Sequence, residues 1–399
     1  MTSLDYRTRP ARRIRRVDPA EFCRSEWPAR LRENGRLAAG AAARLGLPPL
    51  TLEVEGAPWT VLPADGTLRI ERISTDGALV ARLDADAFSD LVDDHKSTLG
   101  LSVSGRIEIV AGEGEQLLWW EPVLRAALDG RPVHAAGDVT VSSDLSRHFT
   151  PDSPLGEMRS FLVDAGFLHL RGVFTGDEMA GVGEDLDRSL ERACQDDGTS
   201  WWVRTRNGEH RPSRILNFLS QSDRLRTLVG EDRFLALGDL AGLGHLHSDS
   251  FGEHFAEPSA EGLIKPVGVT EGISDLGWHK DCARGGHSRF CCGLTIGIAV
   301  TGADEESGEL RVVAGSHRAN LPGAGLAEDV GLPVVALPTL TGDVTVHCSC
   351  TLHEARPPIR RERKVVYTGL GLPPRPGDEA DAADHRALRR ERAEIGRMR

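Results

Sequence analysis

Runs of alternating hydrophobic and polar residues mark this chain into segments of different character. From Thr51 to about His134, the strand-like runs TLRIERI and ALVARL precede a helix-like stretch, DADAFSDLVDD. GRIEIVAG and a second helix around GEQLLWWEPVLRAAL follow, so this part reads as α+β. LGLPPL at 45–50 reads as a linker from an N-terminal arm with helical pieces, because Pro48 and Pro49 together interrupt a helix or a central strand. On the far side, the polar stretch DVTVSSDLSRHFTPDSP leads into FLVDAGFLHLRG, a helix running into a short strand. A new helix is expected from Thr175, with Asp177 and Glu178 in its first turn. Strand signals then dominate: CCGLTIGIAV, ELRVVAG, PVVALP, DVTVH and KVVYTGL. Short strands separated by Gly, Pro and Asp turns imply a sandwich, barrel or jelly roll. Residues 375–399 are charged and read as a surface helix.

Composition narrows the function classes. A chain of 399 residues is too long for one ordinary core, and no apolar run approaches a membrane span, so no membrane partner is expected. A net charge of -12 argues against a nucleic-acid partner, and the Arg-rich segments sit at the termini. The N-terminus lacks the apolar core of a secretory signal, which makes the cytoplasm the expected location. Seven cysteines, an odd number, do not form the even framework of a small secreted domain and are expected to be reduced. The chain has only four lysines, Lys96, Lys265, Lys280 and Lys364, and its bias toward Arg, Ala and Gly fits a high-GC bacterial genome.

The chemistry centres on LGWHKDC, Leu276 to Cys282. In an extended segment, a period of two places His279 and Asp281 on one face and throws Lys280 to the other. Two imidazoles and a carboxylate on one face leave open positions on ferrous iron, the set used by non-heme iron oxygenases. A second histidine is needed. The candidates are His347 and His353 in TGDVTVHCSCTLHEARPP, and His245, His247 and His254 in GHLHSDSFGEHF; His353, ending a strand signal, is favoured. A chelating 2-oxo acid would fill two positions on the iron, and its far carboxylate would need a fixed cation such as Lys364 or Arg363.

FLVDAGFLHLRGVF, WHKD, SGELRVVAGSHR, GDVTVHCSCTLHEA and RKVVYTG, in this order from Phe161 to Leu370, resemble the phytanoyl-CoA dioxygenase family of iron(II)/2-oxoglutarate oxygenases. The resemblance implies a double-stranded β-helix of the jelly-roll, cupin-like type, with His279, Asp281 and His353 as iron ligands and as the catalytic centre. It also implies Fe(II), 2-oxoglutarate and O2 as cofactor and co-substrates, and a hydroxylase acting on a small molecule of bacterial secondary metabolism, with release of succinate and carbon dioxide. Two positions depart from the pattern. The 2-oxoglutarate cation, usually arginine, falls on Lys364, and a serine often found two residues after the distal histidine is Ala355. Arg363 and Lys265 are the alternative cations.

The expected organisation is an arm and linker over 1–50, a small α+β domain over 51–135, the oxygenase jelly roll over 146–374 and a charged tail over 375–399. The order of elements in the small domain faintly resembles sterol-carrier-protein-2-like domains. Its apolar helix faces, with Leu117, Leu118, Trp119 and Val123, could cover the jelly-roll mouth or form a homodimer. His347 reads as a polar residue on the strand before His353, while Trp201, Trp202 and the run from His245 to Asp249 read as loops. Two rival functions remain: a ligand-binding protein with a relic jelly roll, and a divalent-metal hydrolase using the same triad.

Overall fold

A computed structural model describes residues 15–195, 197–242, 244–248, 258–282, 293–325 and 330–372. Its buried apolar residues fall into two large clusters, one drawn from positions before 134 and one from positions after 148. His254, Cys291, Cys292 and the C-terminal stretch expected to be helical lie outside the described residues.

The first cluster is built by α1 (Pro19–Arg24), α2 (Glu26–Arg44), β1 (Leu50–Val54), β2 (Ala57–Ala64), β3 (Thr67–Glu71), β4 (Leu79–Leu83), α3 (Ala85–Val92), α4 (Thr98–Val103), β5 (Ile107–Ala111) and α5 (Gly114–Asp129). The strands form one sheet in the order β3-β2-β1-β4-β5, antiparallel except for β1 beside β4. Within the expected arm, α2 lies against β3. Trp27, Leu31, Gly35, Ala38 and Ala42 make its buried face at helical spacing. A Cβ on Gly35 would stand 2.3 Å from Thr67 Oγ1, so a larger residue there would force that hydroxyl to move. The Pro48–Pro49 linker is also fixed, since Trp120 of α5 donates its indole N–H to the Pro48 carbonyl at 3.0 Å.

After this unit come α6 (Leu155–Ala165), β6 (Phe167–Leu170), α7 (Gly176–Arg192), β7 (Ser200–Thr205), β8 (His210–Ile215), α8 (Asp223–Leu228) and α9 (Asp232–Leu235). Thr175 caps α7 through a reciprocal pair of hydrogen bonds with Glu178, as the acidic first turn suggested. The remaining strands are β9 (Leu246–Ser248), β10 (Ala260–Lys265), β11 (Val269–Glu271), β12 (Gly293–Ala299), β13 (Leu310–Val313), β14 (Val334–Leu337), β15 (Val344–Cys348), β16 (His353–Ala355) and β17 (Arg363–Gly371). A nine-stranded sheet runs β11-β7-β8-β10-β17-β12-β15-β6, with β9 also on β17, and a three-stranded sheet runs β14-β13-β16. All these pairings are antiparallel.

Two loops expected from the sequence are strands. Trp201 and Trp202 lie on β7, where Trp201 is buried beneath the Arg214 guanidinium, 4.1 Å from its ring centre. His247 lies on β9 opposite Leu370. Among the described residues, no helix is long and apolar enough to cross a membrane, and Cys23, Cys194 and Cys350 form no disulfide.

Candidate metal centre

The segment 276–282 runs extended between two neighbours. His279 exchanges backbone hydrogen bonds with His353, N to O at 2.9 Å and the return bond at 3.0 Å, so β16 and the WHKDC segment are tied at their two histidines. On its other side Lys280 N donates to Gly323 O at 2.8 Å, and the half-buried Lys280 ammonium donates to Leu321 O at 3.1 Å. The 320–323 turn is in turn held by the first unit: Asn320 Nδ2 donates to the carbonyls of Pro122 and Arg131 at 2.9 and 3.1 Å. The N-terminal unit therefore backs the loop on which the first two candidate ligands rest.

His279, Asp281 and His353 each offer a ligand atom within 4.8 Å of the others. The hydrogen bonds set their tautomers. Nδ1 of His279 donates to Gly277 O at 2.7 Å and Nδ1 of His353 to Thr351 O at 3.0 Å, which leaves both Nε2 lone pairs free. Both Nε2 atoms face one oxygen, Asp281 Oδ1, at 3.4 and 3.5 Å. Burial works to raise the Asp281 carboxyl, but the three imidazoles packed around it hold it well below its ordinary value. An ionised carboxylate between two outward-facing imidazole nitrogens suits a divalent ion such as iron. His347, expected only to lead up to His353, is also here: its Nε2 lies 3.1 Å from Asp281 Oδ2, beside Thr295 Oγ1 at 2.7 Å.

The cavity over this set is lined by β10 and β17 side chains at every second position: Glu261, Leu263 and Lys265 from one, Arg363 and Tyr367 from the other. That parity overturns the expectation for Lys364. It points to the opposite face, where its ammonium pairs with Asp187 of α7 at 2.6 Å. Lys265 does line the cavity, but its donors are occupied by the Ala355 and Arg356 carbonyls, each at 3.0 Å, and by Asp275 at 2.6 Å. Burial, with the Arg363 charge close by, lowers its ammonium to about 8. Arg214 is paired with Glu261 at 3.0 Å. Arg363 differs: it is 4% exposed, and its Nε and Nη2 have no partner among the described residues. His247 lies elsewhere, on Thr368 Oγ1 at 2.8 Å, and burial holds its imidazole down to about 4.

The family model for phytanoyl-CoA dioxygenase matches residues 162–361, half of the chain. The chain belongs to the phytanoyl-CoA dioxygenase family. It is accordingly a non-heme iron(II)- and 2-oxoglutarate-dependent oxidoreductase, as the sequence motifs implied. The match begins after the five-stranded sheet, and no comparison supports the resemblance of that region to sterol-carrier-protein-2-like domains. Among curated proteins, no sequence match was found. Similar solved structures include AviO1 from Streptomyces viridochromogenes Tue57, 22% identical with a TM-score of 0.43, over 55% of this chain and 97% of that one. HygX from Streptomyces hygroscopicus, solved with nickel, 2-oxoglutarate and hygromycin B, is 22% identical with a TM-score of 0.40, over 55% and 87%. EctD from S. alaskensis, solved with 2-oxoglutarate and 5-hydroxyectoine, is 17% identical with a TM-score of 0.44, over 60% and 83%.

Proposed function

We propose that His279 Nε2, Asp281 Oδ1 and His353 Nε2 hold Fe(II), that Arg363 takes the far carboxylate of 2-oxoglutarate, and that the enzyme hydroxylates a small molecule of bacterial secondary metabolism. The observation that carries this reading is a single cavity holding both the two-histidine, one-carboxylate set and a buried guanidinium with two unspent donors. Iron bound there supplies the oxidising chemistry, using dioxygen and 2-oxoglutarate and releasing succinate and carbon dioxide.

The chain's own contribution is positional. Arg363 offers a planar fork that fixes the co-substrate's direction, which a point charge at Lys364 could not do even if it faced inward. Leu263, Leu276, Leu310 and Ala355 give the cavity an apolar wall that keeps water from the reacting centre. The Arg214–Glu261 pair and the bonded Lys265 hold that wall rigid without competing for the co-substrate.

The nine- and three-stranded sheets are the two walls of a double-stranded β-helix, and the five-stranded sheet with its helices is a separate domain that restricts substrate access. Its self-contained apolar cluster supports that division, and so does its grip on the 320–323 turn. Cys23, Cys194 and Cys350, which form no disulfide, fit a reducing cytoplasm. The test is an anaerobic Fe(II) titration followed by a succinate-release screen over candidate small molecules. The wild-type chain is expected to bind one iron and release succinate, and Asp281→Ala to do neither while keeping its far-UV spectrum. Turnover without oxygen would favour a hydrolase and sink the proposal.

A further inference from the structure

The two oxygens of Asp281 have different neighbours. Oδ1 faces the Nε2 atoms of His279 and His353. Oδ2 faces away from them, into the nine-stranded sheet, where Thr295 Oγ1 donates to it at 2.7 Å and His347 Nε2 lies at 3.1 Å. Thr295 and His347 are direct cross-strand partners on β12 and β15, so both reach the carboxylate from one rung of the ladder.

His347 is wired oppositely to the two proposed ligands. His279 and His353 spend Nδ1 on a backbone carbonyl and keep Nε2 free as a lone pair. His347 is 1% exposed and has no partner at Nδ1 among the described residues, so its proton is best used at Nε2, where an acceptor waits. A ring carrying its proton on the nitrogen that faces the site donates and does not ligate. Its ring centre is only 4.2 Å from that of His353, so the arrangement also fills the space behind the distal histidine.

The geometry points to His347, with Thr295, as the positioning residue for Asp281: together they hold Oδ2 by two hydrogen bonds and leave Oδ1 alone to face the metal. The inference rests on the proposed iron site and assigns this histidine a role that the ligand set does not include. A carboxylate held at one oxygen binds through the other and cannot swing to take the ion with both, which preserves open positions for the co-substrate.

The test uses the full chain and Co(II), titrated without oxygen and read by calorimetry and by the visible absorption of the bound ion. His347→Ala and Thr295→Val are expected to weaken Co(II) binding by about 10–100-fold and to change the visible band, with far-UV spectra unaltered. His347→Gln and Thr295→Ser, which restore a donor, are expected to recover most of the affinity. Thr295→Val is nearly isosteric and carries the test if His347→Ala does not fold. Wild-type affinity and band in both deletion variants would overturn the proposal. So would complete loss of Co(II) in His347→Ala with no recovery in His347→Gln, because that pattern marks a ligand. Should Asp281→Ala bind Co(II) as the wild type does, the iron site itself is misplaced, a result distinct from either.

Discussion

The five-stranded sheet and the nine-stranded sheet bury their inner faces in different ways. In the first, Leu50, Leu52, Val61, Leu79, Ala81 and Leu83 pack on Trp27, Phe88 and Trp120, and the buried charges are paired at the rim: Arg125 with Asp94 and Asp129, Asp90 with Arg16 and Arg106. In the second, Arg214, Glu261, Lys265 and Arg363 sit on three neighbouring strands, each less than 10% exposed, and one of them, Arg363, has two donors unpaired among the described residues. A buried donor without a partner costs about 1–3 kcal/mol. A chain tolerates that cost where a ligand later supplies the acceptor, so the contrast separates a surface built for stability from one built to be completed.

The largest effect that would break this contrast is expected in the first unit. Trp120→Ala removes a buried ring and its bond to Pro48, and should lower stability by about 3–5 kcal/mol in chemical denaturation. The fraction that stays folded should still bind Co(II) with wild-type affinity; a parallel loss of metal would mean the two cores are one. A somewhat smaller effect sharpens the second half. Arg363→Met should weaken 2-oxoglutarate binding by about 2–5 kcal/mol, measured by calorimetry on the metal-loaded protein. Its melting temperature without co-substrate should equal or exceed the wild type's, because an unpaired charge has gone. Lys364→Ala should leave co-substrate affinity unchanged and cost at most about 1 kcal/mol of stability through Asp187.

The neighbouring residues Arg363 and Lys364 also show where sequence reading stops. The buried runs of β12, β15 and β17 and the Thr175 start of α7 were legible, because their periodicity and capping are local. So were His279 and Asp281, two apart, and His353 by its context. Which of Arg363 and Lys364 faces inward was not: strand parity cannot be counted through the loop RPPIRRE after β16, and only the pairing of Arg363 with Lys265 on β10 sets it. His347 left a fainter sign. Thr345 and His347 alternate with Val344, Val346 and Cys348, a polar face on a strand whose residues are all buried, which is the pattern of a strand walling a cavity. The helices before residue 45 were read as an arm because the small residues of α2 give little hydrophobic signal, although they are what lets it lie close to β3.

The smallest expected effect concerns the outer face of the catalytic unit, at the start of α7. Hydrogen bonds from Arg233 and from the Thr175 backbone lower the Glu178 carboxyl to about 2. Because the folded value lies below the unfolded one, its contribution is present above the usual range near 4.5 and is lost as pH falls toward 2. Solvent screening limits it to about 1 kcal/mol or less. Glu178→Gln should therefore reduce stability at pH 7 by that amount and flatten its acid dependence, in denaturation curves taken between pH 2 and 6.

The paired backbone bonds between His279 and His353 carry a consequence for the protein's lifetime. Two residues far apart along the chain meet through their main chains, so the ligand set exists only once the intervening loop has closed. An ion captured by that set is an ion the unfolded chain cannot hold as well. A hundredfold excess of metal over its dissociation constant would then favour the folded form by about 2.7 kcal/mol. Under the proposed iron site, a cell short of iron would lose enzyme molecules to degradation as well as the reaction they perform, and supply of the metal would set abundance together with rate.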